Sequence, residues 1–254
     1  MSFPQYPKRL AQEVILTPQD HFAAEKAGYE DFSAPETIIL CFESSLIEHF
    51  KTRADVQHAK FWTGEIVYFS ETAKKVGLVG NFGIGGPAAS HIMEILIATG
   101  VTKFIIVGHA GGLQPNHPAG TIVLCEKSIR DEGLSHHYLI PSKFAYASSH
   151  TMERLVSQLN KAQVKYILGT SWTIDSMYRE TKDEVAQYAK EGVVAVEMEV
   201  ASLFSVGTFR KVQVGALLVI SDYVGPEKWE AHLHADETSN ALIRATEVAM
   251  ATSI

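Results

Sequence analysis

The chain has 254 residues, 46% hydrophobic and 20% charged, with a formal net charge of −7. That length holds one large α/β domain or two small ones and suffices to bury a sizeable core. The acidic balance and the lack of a basic run argue against nucleic acid as a partner.

Residues 1–35 are mixed in character and broken by Pro18 and Pro35. They predict an irregular N-terminal arm with a short helix near 19–27. Its start carries no apolar signal-peptide core, and no apolar run in the chain approaches a membrane span. Cys41 and Cys125, the only cysteines, both lie in apolar runs and read as buried free thiols. A reducing, cytoplasmic location fits this usage, with no membrane partner.

Residues 37–42 form a β-rich apolar run, and a helical stretch follows over about 45–52. Residues 66–69 and 75–82 read as strands. Gly83-Ile84-Gly85-Gly86-Pro87 then makes a turn, and Pro87 suits the first turn of a helix reaching about Thr99. Residues 83–88 also fit G-x-G-x-x-A, the loose dinucleotide-binding pattern. That site wants a carboxylate at the end of the next strand. The strand over 103–107 ends instead in Gly108-His109, which disfavours a nicotinamide cofactor. The run Gly108-His109-Ala110-Gly111-Gly112 reads as a glycine-rich turn after that strand, with backbone open to a ligand and free to take positive φ.

Further strands are expected over 121–125, 165–169 and 214–220, and helices over 152–161, 182–190 and 237–251. Residues 193–198 read as a short strand entering a helix over 199–209. Its Glu197-Met198-Glu199 offers carboxylates to accept from sugar hydroxyls and a soft apolar wall for a sugar face. The competing reading is a helix start with two solvated acids. Ser221-Asp222 closes a buried apolar strand. There a carboxylate enters a crevice that can raise its pKa, as a general acid requires, although a turn aspartate would look the same. His136-His137 and His232-x-His234 do not make a ligand set, so no metal is expected. The alternation of strands and helices implies an α/β sheet covered on both faces, and no boundary divides residues 1–254 into two domains.

Taken together, these motifs resemble the nucleoside phosphorylase family of the uridine phosphorylase and purine nucleoside phosphorylase type. Ser128-Ile129-Arg130-Asp131-Glu132-Gly133, Gly169-Thr170-Ser171-Trp172-Thr173 and Tyr178-Arg179-Glu180-Thr181 add to the match, which covers about residues 66–225. The resemblance implies a single-domain three-layer α/β/α sandwich with a mixed, barrel-like central sheet, and cleavage of a nucleoside's N-glycosidic bond without a cofactor. It implies a homodimer or a hexamer of dimers, in which a neighbour completes the pocket.

Carried over by position, Glu199 and Asp222 are the catalytic residues. Met198, Glu197, His109 and Gly111 are expected on the substrate, Trp172, Tyr178 and Arg179 around the base, and Gly83, Gly85 and Gly86 in the loop beside the site. The phosphate ligands depart from the pattern. Ser45 and Ile106 stand where the family has arginines, His109 replaces a threonine, and Cys41 replaces the glycine of the first loop. An anion needs cations or N–H donors, and Glu43 on that loop would repel it. Either phosphate binds differently, through His109, Lys8 or Arg9, or water replaces it, and hydrolysis is expected over phosphorolysis. The alternative is a nucleoside- or sugar-binding protein that has lost turnover.

Overall fold

The computed structural model describes residues 9–29 and 32–252, so Lys8 lies outside the described residues, as does the side chain of Arg9. Helix α1 (Pro18–Glu25) begins on a reciprocal cap in which Thr17 and Asp20 satisfy each other's backbone N–H groups. Strand β1 (Thr37–Cys41) leads into α2 (Ser44–Lys51). An antiparallel hairpin, β2 (Val56–Phe61) and β3 (Gly64–Phe69), precedes β4 (Val76–Gly80) and α3 (Gly86–Ala98). Then come β5 (Lys103–Gly112), β6 (Ile122–Asp131), β7 (Phe144–Tyr146), α4 (Ser149–Lys161) and β8 (Ile167–Ile174). The chain closes with α5 (Lys182–Lys190), β9 (Ala195–Glu197), α6 (Val200–Arg210), β10 (Gln213–Val224), β11 (Trp229–Ala231) and α7 (Asp236–Thr252).

One mixed sheet contains all these strands, in the order β11-β10-β6-β8-β9-β5-β1-β4-β3-β2, with β7 on β6. β10 also pairs with β5, which closes β10, β6, β8, β9 and β5 into a ring. This is the expected barrel-like sheet between helical layers. Alternation along the strands makes the layers. Ile38, Leu40, Phe104, Ile106, Ala216 and Leu218 pack with α3 and α6 on one face. Ile39, Cys41, Ile105, Val107, Leu217 and Val219 pack with α2, α4 and α7 on the other. Buried on both sides, these strands read as unbroken apolar runs. Both cysteines are buried and free, and burial pushes the Cys125 thiol up to about 12.

Two expectations change. The segment 108–112 is not a turn, because β5 continues through it in register with β10 as far as Gly112. Its glycines serve close packing: a Cβ on Gly111 would stand 2.6 Å from Val224 Cγ2. The strands β2, β7 and β11 also escape the sequence reading, since they are short or solvent-facing and lack an apolar run.

Candidate active site

β1, β5 and β10 run parallel, and their C-terminal ends open on a common cleft, where sheets of this kind place ligands. The cleft has a volume of about 570 Å³. Phe42 and Glu43 enter it after β1, Ile84 before α3, His109 and Gly111 from β5, Glu197 from the end of β9, and Met198 and Glu199 from the turn into α6. Met177, Tyr178 and Glu180 come from the segment before α5, and Ser221, Asp222, Val224 and Trp229 from β10 and β11.

Glu197 does not offer its carboxylate to a ligand. One oxygen, Oε1, accepts from Thr173 Oγ1 at 2.5 Å and Ser171 Oγ at 3.0 Å. The other, Oε2, accepts the backbone N–H groups of Glu199 at 2.7 Å and Val200 at 2.6 Å. Those amides begin α6 and would otherwise lack partners. Glu197 thus ties the helix start to β8 and fixes the two residues that follow it.

Glu199 is the carboxyl held at the cleft floor. Its Oε1 accepts the Gly85 N–H at 2.5 Å and its Oε2 the Met198 N–H at 3.2 Å. Burial, and then the charge of Glu197, push it up to about 8. The loop before α3 supplies the Gly85 donor. Gly83 and Gly85 have φ of +99° and +87°, a conformation that glycine adopts freely.

Asp222 sits where β10 shifts register between Ile220 and Asp222, an irregularity of the kind that re-aims side chains at functional edges. Its Oδ1 accepts from Ser221 Oγ and its Oδ2 from Trp229 Nε1, both at 2.7 Å. Glu180 lines the same end of the cleft, and burial, with the Asp222 charge second, pushes it up to about 7. The cleft therefore holds two carboxyls that carry a proton near neutral pH, in the range useful for acid catalysis.

At the opposite corner, Glu43 Oε1 accepts the His109 backbone N–H at 2.9 Å and lies 3.3 Å from His109 Nδ1. Burial lowers the His109 imidazole, against the raising effect of Glu43 and Asp222. Among the described residues, Lys182 is the one Lys or Arg lining the cleft. It lies 73% exposed beside Glu227, so it is no buried anion clamp. Ile106 is sealed in the core, and Ser45 is exposed and does not line the cleft.

The cleft therefore gathers Glu199, Met198, Glu197, His109, Gly111, Asp222 and Tyr178. Trp172 and Arg179 are not among its lining residues. Trp172 is fully buried against Tyr188, with Nε1 donating to Asp131 at 2.9 Å. Arg179 ends an exposed helical turn, Met177–Arg179. Gly83 and Gly86 stay behind Ile84, and a Cβ on Gly86 would collide with Ser202 of α6. Sequence reasoning missed Glu180 and Trp229 in the cleft. Sequence neighbours give no hint that Glu180 is half-buried, and Trp229, 62% exposed, reaches the cleft from the short strand β11.

The sequence profile of the phosphorylase superfamily matches residues 38–253. Among similar proteins, a uridine phosphorylase of Treponema pallidum is 30% identical over 215 residues, covering 80% of this chain and 82% of the relative. A DeoD-type purine nucleoside phosphorylase of Shewanella oneidensis is 28% identical, covering 72% and 76%. The crystal structure of uridine phosphorylase from Vibrio fischeri superposes with a TM-score of 0.75 at 26% identity, covering 87% and 92%. That of a Toxoplasma gondii purine nucleoside phosphorylase superposes at 0.77 with 16% identity, a likeness of fold.

Proposed function

The chain belongs to the nucleoside phosphorylase family within the phosphorylase superfamily, and we propose that it cleaves the N-glycosidic bond of a nucleoside and passes the ribosyl group to water. Such a transfer builds positive charge on the sugar and negative charge on the base, and fixed groups aimed at those charges supply most of the rate. Glu199 and Met198 hold the sugar in this reading. Asp222, with Glu180 beside it, protonates or hydrogen-bonds the departing base, which suits a purine or another base protonated at a ring nitrogen.

The observation that favours water over phosphate is the Glu43–His109 contact. Glu43 already occupies the His109 N–H with a carboxylate. A phosphate there would meet that negative charge with no buried arginine or lysine among the described lining residues to offset it, whereas neutral water would not. The test is product identity at saturating phosphate, over a panel of adenosine, inosine, guanosine, uridine and cytidine. Free ribose supports hydrolysis, and ribose 1-phosphate defeats it. Tight nucleoside binding with no base release under either condition would assign the chain to binding alone.

Three coarser features belong to the same proposal. The chain acts as one domain, supported by the single sheet. It forms a homo-oligomer, supported by the exposed side chains of Val14, Ile15 and Leu16 ahead of α1, and light scattering checks this. It works in the cytoplasm, a reading supported by its two free thiols. Among the described residues no helix is long and apolar enough to cross a membrane.

A further inference from the structure

The corner of the cleft formed by Glu43 and His109 holds more than an obstacle to anions. A single carboxylate oxygen of Glu43 receives the His109 backbone N–H at 2.9 Å and stands 3.3 Å from the Nδ1 of the same residue. An acceptor so close to Nδ1 favours the tautomer that carries its proton there, because two lone pairs would repel. The lone pair of the neutral ring then lies on Nε2. That atom is buried and has no hydrogen-bond partner among the described residues. Buried ring nitrogens normally have one, and a bound water is an apt donor.

We propose that His109 is the general base that deprotonates the attacking water, and that Glu43 is the positioning residue that fixes its tautomer and ring orientation. The proposal rests on the hydrolytic reading above. In the step, a lone pair on the water oxygen forms the bond to C1′ of the ribose. The C1′–N bond breaks and leaves its electron pair on the base. The water proton passes to His109 Nε2, and the base nitrogen takes the proton held by Glu180. Both sites then return to their starting states by exchange with solvent. Glu43 after β1, Asp222 on β10 and His234 ahead of α7 are the charged or titratable groups that act on the imidazole. Burial outweighs the two carboxylates and keeps the ring neutral, as a base must be.

The experiment compares wild type, His109→Asn and Glu43→Gln on the nucleosides that wild type cleaves, in phosphate-free buffer from about pH 5 to 9. Base release, free ribose and nucleoside affinity are measured. His109→Asn should lower kcat about 100-fold or more, the range for loss of a general base. Affinity should stay within about threefold, and added imidazole should restore part of the rate. Glu43→Gln should cost about tenfold and move the acid limb of the kcat profile to lower pH, because a carboxylate that raises the imidazole value has gone. If His109→Asn fails to fold by circular dichroism, His109→Gln carries the same test. Full activity in the His109 variant overturns the assignment. So does a larger loss in Glu43→Gln than in His109→Asn without imidazole rescue, which would make the carboxylate itself the base. Ribose 1-phosphate as the only wild-type product removes the hydrolytic reading and this one together. Free ribose formed equally by wild type and the His109 variant removes this one alone.

Discussion

Replacing Glu199 by glutamine should lower turnover and raise stability in the same protein, and the two effects can be read separately. In the unliganded cleft, burial and the Glu197 charge push Glu199 up to about 8, against an ordinary carboxylate value of 4.5. The folded value is raised, so the bound proton stabilises the fold. That contribution is complete below about 4.5 and is lost as pH rises through about 8. At pH 7 the wild-type carboxyl therefore burdens the fold by about 3 kcal/mol relative to a group that cannot ionise. Glutamine removes this burden. It also turns an acceptor for Gly85 or Met198 into a donor, at a cost of about 1 kcal/mol. The net gain near pH 7 is about 2 kcal/mol, or a rise of roughly 4–8 °C in Tm for a chain of this size. Near pH 5 the gain vanishes and the variant should melt at or below wild type. Thermal melts of both proteins across pH 5–8 should cross, while kcat/KM of the variant falls at least about tenfold. Parallel melting curves, or unchanged kcat/KM, would refute the reasoning.

Glu197→Gln should be the more damaging change for folding, because an amide nitrogen would face N–H donors at the start of α6; burial raises Glu197 too, so the loss is clearest toward pH 5, where removing the ionisable group brings no offsetting gain. A loss of about 3 kcal/mol, or roughly 6 °C or more in Tm, is expected by thermal melting. Glu180→Gln should remove an inflection near pH 7 from the kcat profile, since burial and Asp222 push Glu180 up to about 7; a retained inflection would assign it to another group. Asp222→Asn should slow cleavage of natural nucleosides far more than of ribosides with a good leaving group such as nitrophenol, and equal losses would reduce Asp222 to shaping the β10 edge.

The central sheet was legible because strands buried on both faces must be apolar throughout, as 38–41, 104–107 and 214–220 are. The ends of β6 and β8 were not, because their polar residues serve a ring closed by pairing distant in sequence. Ser171 and Thr173 turn toward Glu197. Strict alternation along β8 then sends Trp172 to the other side, into the core rather than toward a base. Glu199, His109 and Asp222 could be found because each follows an apolar run and so stands toward the sheet's open end. Glu180 could not, since its burial depends on how the turn at Met177–Arg179 folds over Asp222, and no local pattern records that. The division of labour within Glu197-Met198-Glu199 was equally hidden. Two identical side chains two residues apart differ only in what surrounds them, five donors for one and two backbone amides for the other.

The burial of Glu199 beside Glu197 gives the cleft a proton inventory as well as a shape. An unliganded protein near neutral pH carries a proton on this carboxyl, yet a ribose diol donating to it favours the ionised form. Occupancy by a nucleoside should therefore expel up to one proton into solvent. The heat measured on binding would then depend on the ionisation enthalpy of the buffer. Apparent affinity should climb as pH rises toward about 8. A mildly alkaline medium thus favours loading of the sugar, while the proton that the leaving base needs, held at Glu180, becomes scarcer over the same interval. The pH at which the protein works best is a compromise between these two carboxyls.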